Sequence, residues 1–473
     1  MDIYRDLHRH GDRTALIDAR GTRYSYRELH DMVTAFGAAL PSAGRALILL
    51  RTRNRVESLV GYLGGIAANH VVLPVDHSVG DDLLHHVTQA YRPEYVWDES
   101  TGEGAPLFTA GSYRLVRTGH APGGSDLHEQ LSAVLLTSGS TGSPKGVRLS
   151  RRNLNANASS IAEYLELDPS ERAITSLPMS YSYGLSVVNS HLWVGGTLLL
   201  TDDSLVRREF WEFFREHGAT SFSGVPYTYE MLDTLRFARM ELPSLRSFTQ
   251  AGGKLHAETV ERYAAEARKR SARFYVMYGQ TEATARIAYL RADLHPDKSE
   301  SIGAAIPDGK LYLKDANGLA VSEPRMHGDL HYEGANVMLG HARDRADLIK
   351  GDELGGCLDT RDVAYFDDDG NYYIVGRRSR FVKMSGVRTD LDQIERHLRE
   401  AGFACVCGGK DEELSIALED ISAARLVRQL LRRTFRIDPR QVRLMEVAEI
   451  PKTAHGKTDY ARLFGATDEG GSR

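Results

Sequence analysis

Residues 135–149 read Leu-Leu-Thr-Ser-Gly-Ser-Thr-Gly-Ser-Pro-Lys-Gly-Val-Arg-Leu. The apolar run at 133–136 predicts a buried strand that feeds a loop. Gly139, Gly142 and Gly146 let backbone come close to a ligand. Thr137, Ser138, Ser140, Thr141 and Ser143 supply hydroxyls, and Lys145 adds a positive charge on a flexible stem. The set suits triphosphate oxygens. It is not a Walker A loop, whose Gly-Lys spacing Pro144 breaks. By composition alone the same stretch also reads as a flexible linker.

Outward from this loop, 473 residues are enough for a large core and two or more domains. The net charge of -5, from 59 basic and 64 acidic residues, argues against a nucleic-acid surface. No apolar run marks a signal peptide, and no stretch of about 18 apolar residues predicts a membrane span. Cys405 and Cys407 flank a single valine, which reads as two small buried hydrophobes on a strand. A reducing, cytoplasmic location is the expectation from this cysteine usage.

The N-terminal part alternates. Ser25 and Glu28 predict a capping box before a helix to Leu40. A strand at 46–50, a helix at 56–68, a strand at 71–73 and a further helix and strand to Trp97 follow. This alternation argues for parallel sheet with helices on its faces. Residues 101–130, rich in Gly, Ser and Pro, read as a surface connection with short strands. After the loop come a helix at 153–164 and strands at 174–177, 198–200, 220–224 and 273–277, with a helix at 210–217.

Further motifs stand where these elements end, and each also has a plain structural reading. Pro178-Met179-Ser180-Tyr181-Ser182-Tyr183-Gly184 offers aromatic and hydroxyl groups, or a turn over the core. Tyr227 lines a pocket or packs at a helix start. Ala251-Gly252-Gly253 approaches a ligand or makes a tight strand exit. In Tyr278-Gly-Gln-Thr281-Glu282-Ala283 the acid caps a helix or faces hydrated magnesium. Asp359-Thr-Arg361-Asp362 and Gly376-Arg377 follow, and Asp367-Asp-Asp-Gly370-Asn is a turn between two strands. A helix capped by Asp390, a strand near Cys405 and a helix at 423–435 form a small C-terminal unit. Pro451-Lys-Thr-Ala-His-Gly-Lys457 is a mobile basic loop, of a kind usually only solvated.

In this order the motifs resemble those of the adenylate-forming superfamily, the AMP-dependent synthetases and ligases. That group includes acyl-CoA synthetases, nonribosomal adenylation domains and beetle luciferases. The resemblance runs from about residue 22 to about residue 460. It implies an α/β adenylate-forming fold. A large N-terminal AMP-binding domain of packed mixed sheets with helices would occupy 1–378, and a small mobile C-terminal α+β lid 379–473, with its hinge at Ser379.

The resemblance also assigns roles. Thr137, Ser138, Thr141 and Lys145, with Gly139, Ser140 and Gly142 in the same loop, would hold the β- and γ-phosphates of ATP. Gly252, Gly253 and Tyr278 would lie against adenine, Thr281 would meet the adenylate phosphate, and Glu282 would hold Mg2+. Asp362 would accept the ribose hydroxyls, with Arg377 beside them. Met179, Ser180, Tyr181, Tyr183 and Tyr227 would form the acid pocket. Lys383 and Gly386 match the lid turn, and Lys457 matches the adenylation lysine. Gly303 and the 334–340 stretch read as scaffold glycines.

Three departures stand out. Arg361 replaces a glycine, Ser379 replaces an Asp or Lys, and no acid lies between Thr175 and Leu200 to grip a substrate ammonium.

The implied reaction joins a carboxylic acid to the α-phosphate of ATP with loss of pyrophosphate, then passes the acyl group to a thiol. Because substrate carboxylate and phosphate are both anions, cations must offset their approach. The expected acid is small or medium in size, in preference to an α-amino acid. The expected acceptor is coenzyme A, and the alternative is the phosphopantetheine arm of an acyl or peptidyl carrier protein acting in trans. A luciferase-type oxidation and a non-catalytic nucleotide-binding scaffold are further alternatives. Lys145, Glu282, Asp362 and Lys457 argue against the scaffold.

Overall fold

The computed structural model describes residues 2–41, 44–99, 105–120, 127–137, 145–384, 387–410, 412–452 and 458–464. Side chains at 379, 381, 383, 387, 388, 390 and 461 are outside that description. The expected roles of Ser138, Gly139, Ser140, Thr141, Gly142, Gly386 and Lys457, and of the Ser379, Lys383 and Asp390 side chains, therefore fall outside the described structure. The chain forms two compact units: 1–137, 144–311 and 332–358 make the first, and 138–143, 312–331 and 359–473 the second.

Two mixed sheets organise the first unit. In one, Val71–Asp76 lies between Leu131–Thr137 and Leu47–Thr52, and Leu47–Thr52 pairs on its other side with Tyr95–Asp98, all in parallel. This is the predicted alternating region. Its edges differ from a purely parallel sheet: Lys145–Ser150 and then Gly340–Ala342 add antiparallel strands on one side, and Tyr113–Arg117 does so on the other.

The second sheet runs in parallel through Thr14–Ile17, Thr197–Leu199, Arg172–Ile174, Ser221–Gly224, Ser247–Gln250 and Arg273–Tyr278. Phe222, Phe248 and Phe274 lie in register across three of its strands. Their ring centroids are 5.6 and 4.9 Å apart, so one face carries a continuous aromatic layer.

Between the sheets, residues such as Phe36, Leu63, Leu135, Leu149, Leu185 and Leu198 belong to one buried core. Helix Tyr26–Ala38 begins with the predicted capping box: Ser25 Oγ accepts from the Glu28 N–H at 3.1 Å, and Glu28 accepts from the Ser25 N–H at 2.7 Å. Helix Arg151–Tyr164 starts two residues earlier than expected. Ser150 caps it, through a reciprocal pair with Asn153.

One helix departs from expectation entirely. The strand expected at 174–177 ends at Ile174, and Ser182–Val194 is α-helical. That helix is buried on nearly every side, from Ser182 to Leu192, so it carries no amphipathic stripe to read.

In the second unit, residues 362–366 of the strand Cys357–Phe366 pair with Tyr372–Arg377 to form the hairpin expected around Gly370, whose φ is +80°. Further along, Cys405–Lys410, Glu413–Leu418 and Val442–Glu446 form a sheet covered by Leu391–Glu400 and Ala424–Phe435. Ile394, Leu398, Leu414, Ile416, Val427 and Leu431 make its core. Cys405 and Cys407 are buried within it on one strand, as read from the sequence, and Cys357 is exposed. Arg380 pairs with Asp392 and Glu395 and stacks at 4.1 Å on the Tyr460 ring. Burial pushes the Glu395 carboxyl upward, and Arg380 opposes that push.

Candidate active site

Three neighbouring parallel strands of the first unit, Ser221–Gly224, Ser247–Gln250 and Arg273–Tyr278, reach their carboxyl ends together. Each runs directly into a short glycine-bearing segment: Gly224-Val-Pro, Ala251-Gly252-Gly253 and Tyr278-Gly279. In open parallel sheets this edge is where ligands bind.

Two of these glycines are required by geometry. Gly252 has φ +86°, and a Cβ there would lie 2.6 Å from the Tyr181 hydroxyl. A Cβ at Gly279 would lie 1.8 Å from the Ala285 carbonyl oxygen, so only glycine lets the loop close. Gly252, expected at adenine, and Tyr181, expected in the acid pocket, thus meet. Gly253 accepts from the Gln250 amide at 2.7 Å.

The Tyr278–Ala283 loop is held from several directions. Its backbone closes through Ile287 N–H to Tyr278 O at 2.9 Å and Ala283 N–H to Gln280 O at 3.0 Å. Ser182 Oγ and Thr281 Oγ1 are 3.0 Å apart, so the first turn of the Ser182–Val194 helix meets the threonine expected at the phosphate. The Met338 N–H donates to Glu282 O at 2.9 Å. The Glu282 carboxylate, one-quarter exposed, has His341 Nε2 at 3.8 Å.

Asn336 was not singled out in sequence. Its Nδ2 donates to the carbonyls of Ala283 and Arg286 at 2.7 and 2.8 Å, and its Oδ1 accepts from the Tyr332 hydroxyl at 2.8 Å. It is 3 % exposed and positions the loop. The only sequence signal for it is a lone asparagine inside the 334–340 stretch, which carries no period.

The phosphate-loop candidates are bracketed by a strand pair. Thr137 lies opposite Lys145 in the antiparallel pairing of Leu131–Thr137 with Lys145–Ser150, and Thr137 Oγ1 donates to Lys145 O at 3.2 Å. Arg148, three residues on, is fully buried. It donates to the carbonyls of His341, Lys350, Gly351 and Leu339 and pairs with Glu353, fixing the strand that follows the loop.

The acid-pocket candidates divide. Ser180 donates to Asp76 at 3.2 Å. Tyr183 is buried, with its hydroxyl 2.7 Å from Thr249 Oγ1 and its ring 4.1 Å from the Arg286 guanidinium. Burial pushes the Tyr181 hydroxyl up to about 12, and Arg286 pulls in the opposite direction. Met179 is 2 % exposed within the inter-sheet core, whereas Tyr227 is 42 % exposed on the first turn of Pro226–Thr234.

In the second unit, Asp362 is 2 % exposed and lies opposite Arg377 in the hairpin. Arg377 Nε donates to Asp362 Oδ1 at 3.0 Å, and the Asp362 N–H donates to Thr360 Oγ1 at 3.2 Å. Arg361 has φ +63°, a left-handed conformation that favours glycine. The departure noted in sequence therefore keeps a glycine-like backbone under an arginine side chain. Burial would raise the neighbouring Asp359, but Arg378 holds its carboxyl below the usual range.

Two curated relatives align with most of the chain. The D-alanine–D-alanyl carrier protein ligase of Listeria innocua is 26% identical over 436 residues, covering 85% of this chain and 84% of that protein. The L-proline–[L-prolyl-carrier protein] ligase of Streptomyces coelicolor is 27% identical over 424 residues, covering 84% and 76%. The fold is shared with the o-succinylbenzoate CoA synthetase of Bacillus subtilis, solved with its acyl-adenylate intermediate. That likeness has a TM-score of 0.75 at 18% identity and covers 98% of both chains. Residues 3–341 match the AMP-binding enzyme family over more than two-thirds of this chain, and the protein belongs to that family.

Proposed function

We propose that the protein uses ATP to convert a small or medium carboxylic acid into its acyl adenylate, releasing pyrophosphate, and then passes the acyl group to a thiol. The observation that carries this reading is the junction at the sheet edge, where Thr281 meets Ser182 and Tyr181 meets Gly252. It joins the motif expected at the α-phosphate, the segment expected at adenine and the start of the expected acid pocket. The substrate carboxylate is the nucleophile, so the protein needs to orient and neutralise charge.

Lys145 and the loop before it take the departing phosphates. Asp362 and Arg377 take the ribose, and Lys457 takes the carboxylate and α-phosphate. Ser379 serves as the hinge between a domain at 1–378 and a lid at 379–473, with Lys383 and Gly386 in the lid turn. The Glu282 carboxylate suits Mg2+, which binds through one or two protein carboxylates together with phosphate and water. The ion would supply charge neutralisation there.

The thiol belongs to phosphopantetheine, which coenzyme A and holo carrier proteins share. Coenzyme A is the first reading. The curated relatives, both named as carrier-protein ligases, support the carrier as the second. A cytoplasmic location is supported by three cysteines that are all free thiols. No helix among the described residues is long and apolar enough to cross a membrane.

The test is pyrophosphate exchange over an acid library, with coenzyme A or holo carrier protein as trap and mass spectrometry of the thioester. Acid-dependent exchange and a trapped thioester are expected. Absence of exchange with every acid, by protein that still binds ATP, refutes adenylation.

A further inference from the structure

The strand Gly340–Ala342 is the edge of its sheet, and it ends beside the strand that follows the glycine loop. It pairs with Lys145–Ser150 through Gly340 with Arg148, His341 with Val147 and Ala342 with Gly146. On the other side of that strand, Thr137 lies opposite Lys145. The same register, carried one residue further, sets Arg343 opposite Lys145. Residues directly opposite in an antiparallel pair point to one face, and neighbouring strands lie about 4.8 Å apart. Thr137, Lys145 and Arg343 therefore form a row across three strands. On the same face Leu135, Val147 and Leu149 enter the core between the sheets. The row stands at the rim of that core.

A cavity of about 450 Å³ opens beside this row, and Met338, His341, Arg343, Asp347, Lys350 and Glu353 are among its walls. Its volume lies in the range of small-molecule sites, roughly 300–1,000 Å³. The cavity also touches the Tyr278–Ala283 loop. The Met338 N–H donates to Glu282 O at 2.9 Å, and His341 Nε2 lies 3.8 Å from the Glu282 carboxylate. It thus lies between the carboxylate suited to Mg2+ and the strand that ends the glycine loop.

The charges on its walls cancel except for one. Lys350 Nζ is 2.7 Å from Asp347 Oδ1, and Glu353 pairs with Arg148. The Arg343 backbone N–H donates to Asp347 Oδ2 at 2.7 Å. The Arg343 guanidinium is exposed and has no carboxylate partner among the described residues. Two like charges facing each other across neighbouring strands repel, and an anion between them offsets that repulsion.

We propose that this cavity seats the pyrophosphate end of the nucleotide, with Arg343 as a second cation beside Lys145. The proposal rests on the adenylation reading above and adds a residue and a space to it. When the substrate carboxylate bonds to the α-phosphorus, the bond from that phosphorus to the bridging oxygen breaks. The bridging oxygen keeps the electron pair and leaves as part of pyrophosphate. Negative charge therefore grows at the β-phosphate, where a guanidinium fork matches phosphate oxygens.

The test is equilibrium binding of inorganic pyrophosphate, ATP and AMP, each with Mg2+, to the wild type, Arg343→Ala and Arg343→Lys. Arg343→Ala should weaken pyrophosphate and ATP by about tenfold, the scale of one hydrogen bond to a charged group. AMP, which lacks the two outer phosphates, should bind unchanged. Arg343→Lys should recover part of the loss. In acid-dependent exchange, KM for pyrophosphate should rise by the same factor in Arg343→Ala while KM for the acid stays as it was. Unchanged pyrophosphate affinity in folded Arg343→Ala would overturn the proposal and leave adenylation standing. Equal weakening of AMP would overturn it too, because it would give Arg343 a purely structural role. A wild-type protein that binds neither ATP nor pyrophosphate would instead remove the adenylation reading, and this proposal with it. Arg343→Gln supplies a second uncharged variant should Arg343→Ala not fold.

Discussion

His70 gives the first unit a built-in sensitivity to acid. It is 3 % exposed and enters the Val71–Asp76 strand, with its Nδ1 accepting from the Ala46 N–H at 3.1 Å. Burial, aided by Arg45 and opposed by Glu94, lowers its pKa from 6.5 to about 4. The folded state therefore prefers neutral His70, and between these values the unfolded chain binds the extra proton. This contribution to stability is complete above pH 6.5 and falls as pH drops through the folded pKa. About 2 kcal/mol is lost by pH 5 and about 3 kcal/mol below pH 4.

His70→Asn can keep an acceptor near the Nδ1 position without titrating, so its own cost does not vary with pH. For a unit of about 330 residues, 2 kcal/mol corresponds to ~3 °C in Tm. Thermal unfolding at pH 8 and pH 5 should show the wild type losing ~3 °C more than the variant. Parallel losses in the two proteins would refute the assignment of this acid sensitivity to His70.

Three further outcomes are expected. Lys457→Ala should fold normally and lose about a hundredfold or more of acid-dependent pyrophosphate exchange; near-normal exchange would remove Lys457 from catalysis. Asp362→Ala should weaken ATP far more than 2',3'-dideoxy-ATP in equilibrium binding, and equal weakening would take away its ribose role. Arg361→Val should lower unfolding stability by about 1–2 kcal/mol through its left-handed φ, while Arg361→Gly should not. Equal denaturation midpoints for the two variants would show that the backbone there is unstrained.

Local signals carried much of the architecture. The Ser25–Glu28 cap, the Gly370 turn and the apolar runs near residues 46–50 and 71–73 each act within a few residues, and each recurs in the structure. Features made by distant residues were not legible. Helix Ser182–Val194 is buried on nearly every side and has no polar face to reveal its period. Strand Gly340–Ala342 is too short to read, and it finds Lys145–Ser150 only through tertiary folding. Arg148, Arg286 and Asn336 look like ordinary polar residues until burial shows what each one holds. Motif spacing marked Thr281 and Gly252. It did not reveal that Ser182 and Tyr181 would be their neighbours.

The pairing of Gly340–Ala342 with Lys145–Ser150 also orders events on the ribosome. Arg148 and its carboxylate partner Glu353 are separated by 205 residues. At ordinary elongation rates of about 5–20 residues per second, that interval lasts roughly 10–40 s. Throughout it, the strand after the glycine loop presents an open edge, and a cation destined for burial remains in water. Open edges recruit foreign strands. The nascent chain is therefore most exposed to misassociation after its first parallel strands have formed and before residue 353 emerges. Slow translation between residues 150 and 350 would lengthen that exposure, and chaperone capture of ribosome-bound chains should peak in the same interval.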